Sequence, residues 1–216
     1  MVLLSPSVSG LKKLINTCEV YAQQHGLKYN ATKSEFMLFK GKIKCPAYSP
    51  KIMLNGITLN RVTYFKYLGH IVSEDFKDDL DIERERRALA VRGGMLAHRF
   101  ARCSAQVKLT LFRAYCQSFY TCGLWASFRL KTYNNLRVQY NNIFRMLLGL
   151  PRFCSASGMI ADASVEDFYA IVRKKTASVV KQMRGCTNSI LKMIAGRWDS
   201  DILRRFTNLH VMRPKC

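Results

Sequence analysis

The sequence predicts an α+β fold, and three observations carry that prediction. Before Asp78, one amphipathic helix is followed by short aromatic or alternating runs with turn signals between them. After Asp78, nearly every window has apolar residues at helical spacing. The two textures meet at a cluster of acids, Glu74, Asp75, Asp78, Asp79 and Asp81, which leads into a long basic helix.

The elements follow in order. Residues 2–4 read as the end of a strand. Ser7 or Ser9 caps a helix to His25, with Leu11, Leu14, Ile15, Cys18 and Ala22 on one face and Gly26 as its stop. Residues 27–29 and the run "FMLF" at 36–39 read as a strand pair. After a basic, Pro-containing loop, "KIMLNGITL" is a hairpin signal, with Asn55-Gly56 suited to a type I′ turn. In "VTYFKYLGHIV", Phe65, Tyr67, Gly69 and Ile71 alternate with Lys66, Leu68, His70 and Val72. Residues 62–72 therefore read as one aromatic strand, and Gly69 as either a bulge or a point where another backbone comes close.

In the second half, Asp78 or Asp79 caps a helix with Ile82, Leu89, Gly93, Leu96 and Phe100 on its face. Ser104 caps a second, running through Cys122, whose Val107, Leu109, Leu111, Phe112, Tyr115 and Phe119 make it apolar nearly all round. That is the pattern of a buried central helix. Leu136, Tyr140, Ile143, Phe144 and Leu147 define a third, closed by Gly149 with Pro151 beyond. "SVED" at 164–167 resembles a capping box and opens a fourth. Shorter helices are expected at 188–196 and 200–209.

Charge narrows the function. The 216 residues hold 35 Lys and Arg against 14 Asp and Glu, a formal charge of +21. Such an excess on a chain that can bury a core points to an anionic polymer partner. No segment approaches the ~18 uninterrupted apolar residues of a spanning helix, and no lipidation motif occurs, so nucleic acid is favoured over a membrane. The eight cysteines form no CxxC pair and follow no secretory signal. They read as reduced thiols of an intracellular protein, cytoplasmic or nuclear.

The acids at 74–81 lack the glycine and terminal glutamate of an EF-hand loop and read as helix-start carboxylates rather than a metal site. No histidine pair at i, i+4, GxSxG, Walker loop or dinucleotide fingerprint is present, so no catalytic constellation is assigned. The basic residues carry more information. Lys33 stands at the mouth of a strand, with Lys40, Lys42, Lys44 and Lys51 in the loop beyond. Arg84, Arg87, Arg92 and Arg99 line the first long helix, and Lys108 and Arg113 the second. With Tyr29, Tyr64, Phe65 and Tyr67 interleaved, they suit phosphate contact and base stacking.

Several motifs in consistent order resemble one family. "LLSPSVSGLKKLINTCEVYAQQHGLKYNATKSEFMLF", "YFKYLGHIV" and "DDLDIERERRALAVRGGMLAHRFARCS" are similar to the reverse transcriptase of jockey-like non-LTR retrotransposons. "VKLTLFRAYCQSFYTCGLW" and "VQYNNIFRMLLGLPRFCSAS" resemble the region after the polymerase core. The resemblance implies a partial polymerase palm at 1–77, a helical thumb at 78–150 and a helical C-terminal extension at 151–216.

It further implies that Lys33 lies near the incoming nucleotide's phosphates and that Phe65, Tyr67, Leu68 and Gly69 form the primer grip. Arg84, Arg87 and Arg92 would lie along the product duplex. The intact family enzyme uses Mg2+, held by aspartates that include a Tyr-Ala-Asp-Asp hairpin. That hairpin is expected immediately before the segment equivalent to "MVLLSPS", so the chain reads as a C-terminal fragment without catalytic residues or a cofactor of its own. Its expected partners are a primer–template duplex and the upstream palm and fingers of the same polyprotein. The rival reading is a non-functional transposon remnant or a helical protein-interaction module.

Overall fold

The computed structural model describes residues 1–41, 50–197 and 203–204, so Lys42, Lys44, Cys45, Cys216 and most of the helix expected at 200–209 lie outside the described residues. The fold is α+β: helices with small two-stranded sheets. The chain divides into two compact units, one of Met1–Phe65 with Val72–Phe76, the other of Lys66–Ile71 with the residues from Lys77 onward.

The first unit is built on α1 (Val8–Gln24). Ser7 is the cap: its Oγ accepts from the Gly10 N–H, one of the donors a helix start leaves unpaired. The apolar face buries Ile15 and Ala22, and Leu11 packs beside Ile15 against Ile52, Leu54 and Leu59. β1 (Glu35–Phe36) pairs in parallel with β4 (Asn60–Arg61). β2 (Met53–Leu54) and β3 (Ile57–Thr58) form the antiparallel hairpin expected around Asn55 and Gly56, whose φ of 50° and 75° are the left-handed values a type I′ turn needs. The expected strand pair at 27–29 and 36–39 is not formed. Residues 27–29 belong to no strand, and Phe36 finds its partner in Arg61.

The segment 62–72 is not one strand. β5 (Tyr64–Tyr67) and β6 (His70–Ser73) are neighbours in a sheet, joined by Leu68 and Gly69. Both joining residues have positive φ, 47° and 85°, so Gly69 is the second central residue of a tight turn rather than a bulge.

The second unit is helical: α2 (Asp79–Arg99), α3 (Ala105–Cys116), α4 (Leu130–Leu148), α5 (Ala156–Asp162), α6 (Phe168–Gly185) and α7 (Ser189–Gly196). Its core joins Ile82, Leu89 and Leu96 of α2 to Tyr140, Ile143 and Phe144 of α4. Burying each of the aliphatic side chains is worth about 1.5–3 kcal/mol. Gly93 lets α2 and α4 approach, since a Cβ there would stand 2.6 Å from Ile143 Cγ2.

The central helix is α4, which buries Tyr133, Leu136, Tyr140, Ile143, Phe144 and Leu147. The expected one, α3, ends at Cys116 and leaves Val107 and Tyr115 exposed. Phe119 and Cys122, read as its continuation, are buried beyond its end with Trp125, on a path towards α4 that includes the 3-10 turn Cys122–Leu124. The capping signal at 164–167 acts one turn late: Asp167, not Ser164, caps α6. No helix among the described residues is long and apolar enough to cross a membrane.

Candidate nucleic-acid interface

The tip of the β5–β6 hairpin carries three of the predicted residues, Tyr67, Leu68 and Gly69. Leu68 is 74% exposed, although its φ of 47° is one that a branched apolar residue rarely adopts. Its carbonyl accepts a hydrogen bond of 3.0 Å from the Tyr120 hydroxyl. The Tyr120 ring covers Gly69 so closely that a Cβ there would lie 2.7 Å from Cε1. Gly69 is thus closely covered by an aromatic side chain of the same unit.

Below the tip, Asp81 is fully buried and accepts bonds from several directions. Oδ1 takes the Ile71 N–H at 3.0 Å and Arg84 Nε at 2.7 Å. Oδ2 takes the Thr121 hydroxyl at 2.9 Å and Trp125 Nε1 at 2.8 Å, with His70 Nδ1 at 3.1 Å. Burial pushes the Asp81 carboxyl up, but the nearby His70 ring and the bonds from Arg84 and Trp125 outweigh it and hold the group well below the usual carboxylate range.

The neighbouring acids also serve the loop between α3 and α4. Asp78 stands at the N-cap position of α2 without a side-chain capping bond. Its Oδ2 instead accepts from the Ala126 and Ser127 N–H groups at 2.7 and 2.8 Å, and burial raises its pKa despite those bonds. Asp79 Oδ1 accepts from the Arg129 N–H at 3.0 Å. Both oxygens of Asp81 and one oxygen each of Asp78 and Asp79 are thus engaged by protein donors, while Asp79 Oδ2 is buried without a hydrogen-bond partner. Among the described residues no group of three or more His, Cys, Asp or Glu is arranged to hold a metal ion.

The arginines of α2 separate into two sets. Arg84, with a side chain 22% exposed, reaches Asp81 and, through Nη1 at 3.2 Å, the buried Glu85. Arg92, 26% exposed, reaches the other oxygen of Glu85 at 2.6 Å. Buried N–H groups remain unpaired on both, Arg84 Nη2 and Arg92 Nε. Arg87, 76% exposed, shares Glu83 with Arg86. The Arg86 fork, more than Arg87, holds the Glu83 carboxyl down to about 2.

Lys33 and Phe65 belong to the first unit; Tyr67, Leu68, Gly69, Arg84, Arg87 and Arg92 belong to the second. Lys33 is exposed on a short 3-10 turn, beside a largely apolar cleft of about 480 Å3 that Tyr29, Phe36 and Phe65 also line. Sequence reasoning missed Tyr120, Thr121 and Trp125, which lie about 40–50 residues from the groups they hold and carry no local signal. Comparison with protein-family models, curated proteins and solved structures found no match for this chain.

Proposed function

We propose that the chain is the late palm, primer grip, thumb and helical extension of a non-LTR retrotransposon reverse transcriptase, and that it binds primer–template duplex mainly through phosphate. In this reading residues 1–77 are the palm part, 78–150 the thumb and 151–216 the extension. Tyr67 and Leu68 meet the primer strand, Gly69 gives the turn its shape beneath Tyr120, and Lys33 faces the incoming nucleotide. The outward Arg87 meets duplex phosphate, while Arg84 and Arg92 shape the surface from within. The observation that carries the reading is the tight turn at Leu68. It displays an apolar side chain in a strained backbone conformation, at the position the resemblance assigns to the primer grip. Strain of this kind is concentrated at functional sites.

Titration of a labelled RNA–DNA hybrid at rising salt tests it. Binding should be sequence-tolerant, and the log–log slope should be about −0.9 for each phosphate neutralised on a B-form duplex. A flat dependence would instead favour a helical protein-interaction module. That second reading draws on α7, where Ile190 and Met193 are 62% and 59% exposed.

A further inference from the structure

We infer that Asp81 and Tyr120 form a latch that fixes the hairpin tip, Lys66–Ile71, onto the start of α2 and the segment before α4. Asp81 is then a positioning residue for nucleic-acid binding. The inference rests on the reading just given and names what sets the geometry of the proposed surface.

Two of the bonds that hold the tip reach its backbone. Asp81 Oδ1 takes the Ile71 N–H on β6, while the Tyr120 hydroxyl takes the Leu68 carbonyl at the turn. The two attachments are themselves joined, because Thr121, next to Tyr120, gives its hydroxyl to Asp81 Oδ2. Thr121 has φ of 64°, a value that is a true outlier for a β-branched residue. Strained non-glycine residues therefore stand at both ends of one hydrogen-bonded assembly, Leu68 on the tip and Thr121 on the clamp. Such conformations persist only where surrounding contacts over-determine them: Tyr120 holds Leu68, and Asp81 holds Thr121 and the Ile71 amide from a site with no solvent exposure. Removing its charge weakens the Ile71 attachment and leaves the Tyr120 bond in place.

The full chain is compared with Asp81→Asn and with the milder Tyr120→Phe. Native-state hydrogen exchange reads the latch and a fluorescent RNA–DNA hybrid reads binding. A hydrogen bond to a charged acceptor is worth about 1.5–3 kcal/mol, so Asp81→Asn should speed exchange of the Ile71 amide by about 10- to 100-fold. Exchange at Tyr140 and Phe144 of α4 should stay near wild type.

The same variant should bind the hybrid several-fold more weakly with an unchanged salt slope. Deleting a negative charge from so basic a protein would by itself tighten binding, so a loss identifies positioning. Tyr120→Phe, which keeps the ring and every charge, should loosen the tip and weaken binding in the same directions by less. Unchanged Ile71 exchange in Asp81→Asn would overturn the latch. Should Asp81→Asn unfold, Tyr120→Phe with unaltered tip exchange would overturn it instead. A loosened tip with equal or tighter binding would overturn the positioning role. A wild-type chain with no affinity for the hybrid would sink the functional reading, and the positioning role with it, leaving exchange to judge the latch.

Discussion

The Tyr120 ring lies against Gly69, with Cε1 where a substituent on the glycine would have to go, 2.7 Å from an ideal Cβ. The same tyrosine bonds the carbonyl of the residue before it. Gly69 is thus needed twice, for its φ of 85° and for the space above it.

Gly69→Ala should lower the unfolding free energy by about 2–4 kcal/mol, combining left-handed strain of roughly 1–2 kcal/mol with overpacking of about 1–2 kcal/mol. Tyr120→Ala should recover the second part only. A double-mutant cycle in urea should therefore show coupling above about 0.5 kcal/mol. Strictly additive losses would mean that the ring does not confine the glycine.

Leu68→Asn should stabilise the chain by about 1 kcal/mol, since Asn tolerates the left-handed region that Leu strains to reach. If the exposed leucine packs on nucleic acid, the same change weakens hybrid binding while the melting temperature rises. Opposite movements of stability and affinity are the expected result. A rise in both would remove Leu68 from the interface.

Acid should destabilise the second unit, and the sign follows from two depressed carboxyls. Asp81 sits well below its usual range and Glu83 at about 2, both lower than in an unfolded chain. The stability they give is complete above about pH 5 and is lost as pH falls from about 4 to below 2. Asp78 acts in the opposite sense: burial raises its pKa, so its cost is present at neutral pH and relieved on acidification. Asp81→Asn should flatten the acid limb of a stability–pH curve, and Asp78→Asn should steepen it. Identical limbs in wild type and Asp81→Asn would refute the assignment.

Residues 1–216 alone should add no nucleotide to a primer with Mg2+ or Mn2+. The sequence contains no Tyr-Ala-Asp-Asp, and Asp78, Asp79 and Asp81 each give at least one carboxylate oxygen to a protein donor. Template-directed extension by clean protein, surviving substitution of those three aspartates, would place the chemistry elsewhere in the chain.

What could be read from the sequence depended on whether the deciding contact was local. The turn at Asn55-Gly56 was legible because both residues favour the conformation required. The turn at Leu68 was hidden, because leucine opposes that conformation and the alternation of Phe65, Tyr67, Gly69 and Ile71 runs unbroken across it. α3 misled because apolar composition does not say which side meets solvent: Val107 and Tyr115 are exposed while α4 takes the centre. Of the acids expected at a helix start, Asp78, Asp79 and Asp81 stand at the start of α2 and Glu74 does not; Asp78 makes no capping bond, and the three reach residues 121–129, a gap no spacing rule spans.

Glu85 sits fully buried between Arg84 and Arg92, so along this stretch of α2 the charges alternate in sign and answer one another inside the protein. Alanine scanning would misjudge such a helix. Replacing Arg84 or Arg92 would strand a buried carboxylate, an injury of about 3–5 kcal/mol, and any lost affinity would report that wound rather than a vanished phosphate contact. Arg87, facing outward, can be removed without it. The count of 35 Lys and Arg thus overstates the cations an approaching polyanion can reach, because Arg84 and Arg92 are already answered from within.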